Sequence, residues 1–225
     1  MDKNLTNLLK WGIEHSTVSN PSADPSAPSP PLSQPAPRSD LNPEILSALM
    51  GGPSDADLMK AAMEVLHDPT TTLENKLIAF DNFEQLIESL DNANNLSNLS
   101  LWTPLLALLS HSEPEIRKYA AWCVGTAVQN NIKSQERLLA MGGLPRLVEM
   151  ILAEDEQEGV RRKAVYALSS AVRNYQPALD VCHEELVKGG HHEAEQKVGD
   201  ATDMDGVDRV MEGLKERVKR TSNKT

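Results

Sequence analysis

The chain has 225 residues, enough for one well-filled domain with extensions, and an apolar fraction of 40%. Aromatic residues make up only 4% while Leu and Ala dominate, a balance that favours helices over a sandwich or barrel. The net charge of -11 argues against a general nucleic-acid binder, whose footprint is basic, and no apolar run approaches membrane-spanning length.

Leu5, Leu8, Leu9 and Ile13 recur at helical spacing, with Trp11 off the stripe, so residues 1–16 read as a short amphipathic segment. A helix this short is marginal alone and orders on a partner or on the core. Residues 17–41 hold seven prolines among Ser and Ala; they cannot sustain a helix and form a semi-extended, flexible linker. Helical patterning resumes at Asn42-Pro43 and continues to about residue 190.

Within that stretch Ser54-x-x-Asp57 and Thr71-x-x-Glu74 are capping signatures. The second opens a long helix expected to reach Leu90, with Leu73, Leu77, Phe80, Phe83, Leu86, Ile87 and Leu90 on its apolar face. A short apolar helix follows over 102–109. Ser112-Glu113-Pro114-Glu115 predicts a Ser cap and an early Pro for a helix running to about Asn130. Short helices over 134–141 and from Pro145, a long helix over 160–175 and a helix from Pro177 to Gly189-Gly190 complete the array. The acidic loop 154–158 reads as a solvated turn, and His191-His192 lacks the partners of a metal site. Residues 191–225 form a polar tail with a terminal amphipathic helix on Val207, Val210, Met211, Leu214 and Val218. Cys123 and Cys182 read as reduced small hydrophobes.

Shifted by 44 residues, the chain meets itself: Ile116 faces Val160, Arg117 Arg161, Ala120 Ala164, Trp122 Tyr166, Val124 Leu168, Ala127 Ala171 and Asn130 Asn174. A fainter copy lies 41 residues earlier, around Lys76, Phe83 and Ile87. One short and one long helix at this period predicts an all-α, armadillo-like right-handed superhelix of stacked repeats, in which neighbours bury what one hairpin cannot. A helical bundle is the structural rival, though it would not require this repeat.

A superhelix offers one long concave face. On the predicted phase that face includes Arg117, Lys118, Trp122, Asn130, Arg161, Tyr166 and Asn174, residue types suited to gripping a protein. No phosphate loop, zinc motif or cysteine cluster is present, so neither an enzyme nor a cofactor is expected. A generic armadillo scaffold for extended peptides stays open as an alternative. Its usual Trp–Asn ladder is poor here, since Thr126 and Ser170 stand four residues after Trp122 and Tyr166.

The opening Met1-Asp2-Lys3-Asn4-Leu5-Thr6-Asn7-Leu8-Leu9-Lys10-Trp11-Gly12-Ile13-Glu14 resembles fungal Hsp70 nucleotide exchange factors of the Fes1 family, relatives of the animal protein HspBP1. The stretches 91–96 and 124–131, Gln135 and the Gly142-Gly143 turn fit the same family. The resemblance covers residues 1–190. It implies an armadillo core that embraces the second lobe of the ATPase domain of a cytosolic Hsp70 and loosens the first, so that ADP leaves and client is freed. It further implies that the N-terminal segment occupies the chaperone's substrate-binding side; Leu5, Leu8, Leu9 and Trp11 are assigned to that role. A cytoplasmic monomer without nucleic-acid or membrane partners is expected. Longer members carry more sequence after the repeats, whereas here the periodicity weakens beyond about 190.

Overall fold

The computed structural model describes residues 53–191 and 199–222. The expectations for the amphipathic segment, for the linker, for the helix from Asn42-Pro43 and for His192 lie outside those residues. Contacts divide the chain into Met1–Leu46 and Ser47–Thr225, and everything described belongs to the second unit.

The described residues are all-α, in chain order α1 (Asp55–His67), α2 (Leu73–Ile87), α3 (Leu90–Asn95), α4 (Trp102–Ala107), α5 (Pro114–Val128), α6 (Ile132–Ala140), α7 (Gly143–Leu152), α8 (Glu158–Val172), α9 (Gln176–Lys188) and α10 (Met204–Ser222). A 3-10 turn, Leu108–Ser110, extends α4. Local chemistry sets the starts. Ser54 Oγ accepts from Asp57 N at 3.2 Å, Thr72 caps Asn75, and Asn131 caps Ser134. Gly142, at φ 69°, makes the left-handed turn into α7.

Three expectations at helix ends are corrected. The second long helix stops at Ile87; Leu90 begins α3 and is 56% exposed instead of lining the core. Ser112 does not cap α5. Glu113 holds that position without a side-chain hydrogen bond, and the Ser112 carbonyl accepts from Arg117. The long helices end at Val128 and Val172, short of the predicted Asn130 and Tyr175. Asn130 and Asn174 follow them in the left-handed region, at φ 51° and 57°. Asn tolerates that conformation better than most side chains, which gives the repeated Asn a backbone role.

The long helices stack in series. α5 packs between α2 and α8, and α8 also packs on α10. The short helices lie against this ladder: α7 packs on α8 and α9, and the 3-10 turn packs on α5. Small residues set the spacing, with Ala120, Ala127, Ala164 and Ala171 all fully or almost fully buried. The core runs unbroken through the ladder, from Phe80 and Phe83 through Val124 and Leu168 to Met211 and Leu214. α10 joins it with Val207, Met211, Leu214 and Val218 buried, so this helix is a fourth rung. Burial pushes the Cys182 thiol up to about 12 and holds Cys123 well above its ordinary value, leaving both free thiols inert. No helix among the described residues is long and apolar enough to cross a membrane.

Candidate partner-binding face

One side of the ladder stays uncovered by the short helices. Along α5 Glu115, Lys118, Tyr119, Trp122 and Thr126 are incompletely buried at the spacing of one helical stripe, with Pro114 and Arg117 partly exposed off it. Along α8 the corresponding stripe is Arg162, Lys163, Tyr166 and Ser169, continued by Arg173 just past the helix end, and Glu158 and Gly159 of the first turn are also incompletely buried. Side-chain hydrogen bonds tie each rung to the next on this side. Thr126 Oγ1 donates to Glu84 Oε1 at 2.6 Å, from α5 to α2. Tyr166 Oη donates to Gln129 Oε1 at 3.1 Å, from α8 to the end of α5. Arg173 donates to Asp208 on α10.

Aromatic rings gather at the middle. Phe80, Tyr119 and Trp122 form a chain with successive centroids 5.7 Å apart. The Lys163 ammonium sits 4.2 Å from the Trp122 centroid and 5.7 Å from that of Tyr166, while Lys118 lies 5.3 Å from Tyr119. Burial holds the Lys163 pKa below the ordinary lysine value. Lys118 adds to that, and Glu84 opposes it. The result is a rigid, partly desolvated cationic patch set on aromatic faces.

The predicted phase therefore needs revision. Lys118, Trp122 and Tyr166 do lie on the open side, and Asn130 and Asn174 are exposed at its helix ends. Arg161 does not. It is 1% exposed, and its Nε donates to the Ile151 carbonyl at 2.9 Å, so it braces the end of α7. Burial lowers its pKa, and the charge of Arg217 lowers it further. Arg117 is engaged inward as well. It binds both carboxylate oxygens of Glu156, at 2.6 and 2.8 Å, and donates to the carbonyls of His111 and Ser112. Burial works to raise the Glu156 pKa, but Arg117 and the Gln157 N–H outweigh it and hold the carboxyl below its usual value. The acidic loop thus serves Arg117. Among the described residues no group of three or more His, Cys, Asp or Glu is placed to hold a metal ion.

Sequence reasoning missed Lys163, Tyr119 and Gln129. A signal was present: Lys163 precedes Tyr166 by three residues, the spacing that places both on one helical stripe. Leu5, Leu8, Leu9 and Trp11 lie outside the described residues.

Two family models match the chain in succession. One, described as nucleotide exchange factor Fes1, matches residues 5–96; the other, the SIL1/FES1/HPBP1 C-terminal domain, matches residues 92–190. The "Hsp70 nucleotide exchange factor FES1" of Gibberella zeae is 60% identical over 220 residues, covering 96% of this chain and 98% of that protein. The Neurospora crassa "Hsp70 nucleotide exchange factor fes-1" is 54% identical over 246 residues, covering 97% and 99%. Among solved structures, an engineered protein superposes with a TM-score of 0.52 over 79% of this chain and 71% of its own, at 19% identity. That likeness concerns the fold alone.

Proposed function

The chain belongs to the Fes1 family of Hsp70 nucleotide exchange factors, and on that premise we propose that the open side of the α2–α5–α8–α10 ladder grips the Hsp70 ATPase domain. The chain acts on Hsp70 as an exchange factor and is not an enzyme. In this proposal the repeats wind as a right-handed armadillo superhelix, with the open side as its concave face. The observation that carries the assignment is the patch of Lys163 over Trp122 and Tyr166. Large aromatic surface joined to a partly desolvated cation is the composition of an interface hot spot.

The mechanism is linkage. A factor that binds the open ATPase domain more tightly than the closed one weakens nucleotide binding by the same ratio. Turning a 1:99 population into 99:1 takes about 5.5 kcal/mol of differential affinity. A ladder with a continuous core and a side-chain hydrogen bond at each rung is stiff enough to hold one lobe while excluding the closed position of the other. The N-terminal residues Leu5, Leu8, Leu9 and Trp11 act separately, occupying the substrate-binding side of the chaperone so that freed client does not return. The setting is the cytoplasm.

The decisive measurement is release of labelled ADP from an Hsp70 ATPase domain on addition of this protein with unlabelled ATP. Trp122→Ala and Lys163→Glu are expected to lower the affinity at least about tenfold, the scale of a hot-spot truncation. Full acceleration by both folded variants at wild-type concentrations would remove this face from the mechanism.

A further inference from the structure

Next to the lysine–aromatic patch the same face opens into a pocket of about 350 Å³, lined by Glu84, Glu88, Thr126, Gln129, Asn130 and Tyr166. Its wall carries two carboxylates, two side-chain amides and two hydroxyls, with neither a cation nor an aliphatic side chain. Both hydroxyl protons are already directed into the wall: Thr126 donates to Glu84 and Tyr166 donates to Gln129. With those protons engaged, the charged groups the pocket offers an incoming group are its two carboxylates, both acceptors, beside the amide N–H donors of Gln129 and Asn130.

Glu84 makes this bias consequential. It is 5% exposed, and the Thr126 hydroxyl is its one side-chain donor among the described residues. A carboxylate so far removed from water gains from a charged partner. Lys163 reaches Glu84 with its charge, yet it is held over the Trp122 ring and makes no ion pair with Glu84. Glu88, one turn further along and just past the end of α2, is exposed at the rim and supplies a second carboxylate.

We propose that this pocket receives a basic side chain, arginine above all, from the Hsp70 ATPase domain. The inference rests on the ladder face being the contact surface, as proposed above. A guanidinium suits the site because it is planar, weakly hydrated and able to serve several acceptors at once. The space is ample: a water molecule takes about 30 Å³ of liquid volume, and a guanidinium replaces only a few of them. An acidic pocket beside the cationic Lys163 patch gives the face two poles of opposite sign. Such a pattern sets the orientation in which the partner docks and penalises the reversed one.

The test is titration of the full chain against an Hsp70 ATPase domain, with folding checked by circular dichroism. Glu88→Lys is expected to weaken binding about tenfold or more, whereas Glu74→Lys, the same charge change on exposed surface outside the pocket, leaves affinity unchanged. Gln129→Glu keeps the acceptor for Tyr166 while adding charge, and should tighten binding about two- to threefold. Glu88→Lys binding within twofold of wild type, while Trp122→Ala binds weakly, would overturn the role of the pocket and leave the face assignment standing. Unchanged binding by Glu88→Lys, Trp122→Ala and Lys163→Glu together would overturn both.

Discussion

Gly125 sits where α5 closely approaches α8 beside the candidate face. A Cβ there would lie 2.5 Å from Cε1 of Tyr166 and 3.1 Å from Cα of Ala167, so neither ring nor backbone leaves room for one. Glycine weakens a helix interior by about 1 kcal/mol, and here close packing with the Tyr166 ring offsets that cost. Gly125→Val is expected to destabilise the fold by about 2–3 kcal/mol, read from the urea midpoint, because the added atoms overpack the contact. It should also weaken Hsp70 binding by displacing Tyr166 from the face. Binding unchanged in the folded variant would separate Tyr166 from recognition. At this scale Trp122 and Tyr166 were legible in the sequence as aligned aromatics, while Arg117 and Arg161 were misplaced. Consecutive helix positions are about 100° apart, so basic neighbours in one motif divide between the open side and the core. Lys163 gains its importance from Trp122 on the neighbouring helix, a contact that no spacing within α8 records.

Between elements, the repeat is held by side chains that finish another helix's hydrogen bonding. The last carbonyls of α8 have no intrahelical donors, as at any helix end. Gln135 of α6 supplies one: its buried Nε2 lies 3.0–3.1 Å from the carbonyls of Ser170, Ala171 and Arg173. Asn131 acts at the end of α5, where its Nδ2 donates to the Ala127 carbonyl at 3.3 Å. Gln135→Leu keeps the volume but removes the donor, leaving buried carbonyls unpaired at about 1–3 kcal/mol for such a group. A loss of about 2–3 kcal/mol in denaturant unfolding is expected. Hydrogen exchange should accelerate first in the last turn of α8 and in the residues leading to α9. Protection unchanged there would show that the Gln135 bonds contribute nothing to closing the rung. The long helices were legible from capping residues and apolar period, whereas α3 was not foreseen. The break at Glu88 and Ser89 was not, because the apolar pattern continues to Leu90 while the chain turns.

For the whole molecule, stacking makes stability a property of the array, and the proposed binding face is built from the same rungs. Each rung buries its neighbour's apolar side, and α10 extends this series beyond the residues where the internal repeat is recognisable. Its Val207, Met211, Leu214 and Val218 stripe was readable as a helix, but its docking on α8 was open. The division of labour proposed for the full chain is testable at this scale. Deleting residues 1–40 should leave ADP release from the Hsp70 ATPase domain unchanged while slowing liberation of bound client from the full chaperone. Loss of both activities with the fold intact would show that the N-terminal residues belong to the exchange machinery itself.

By itself the sequence determined the helical class and the internal repeat, and its resemblance to the Fes1 exchange factors implied the family and the Hsp70 partner. The class and the repeat follow from capping residues and apolar spacing, which are readable locally, whereas the family and the partner rest on the resemblance of contiguous stretches such as residues 1–14. Tertiary structure alone decided which residues of the long helices remain open to a partner. It turned Arg117 and Arg161 inward to brace loop and helix ends, brought Lys163 over Trp122, and assembled Glu84, Glu88 and Gln129 beside Tyr166. The physical reason is that rotation of one helix against the next is set by packing around small residues such as Gly125 and Ala167. A face built from three successive rungs exists only once that packing is formed.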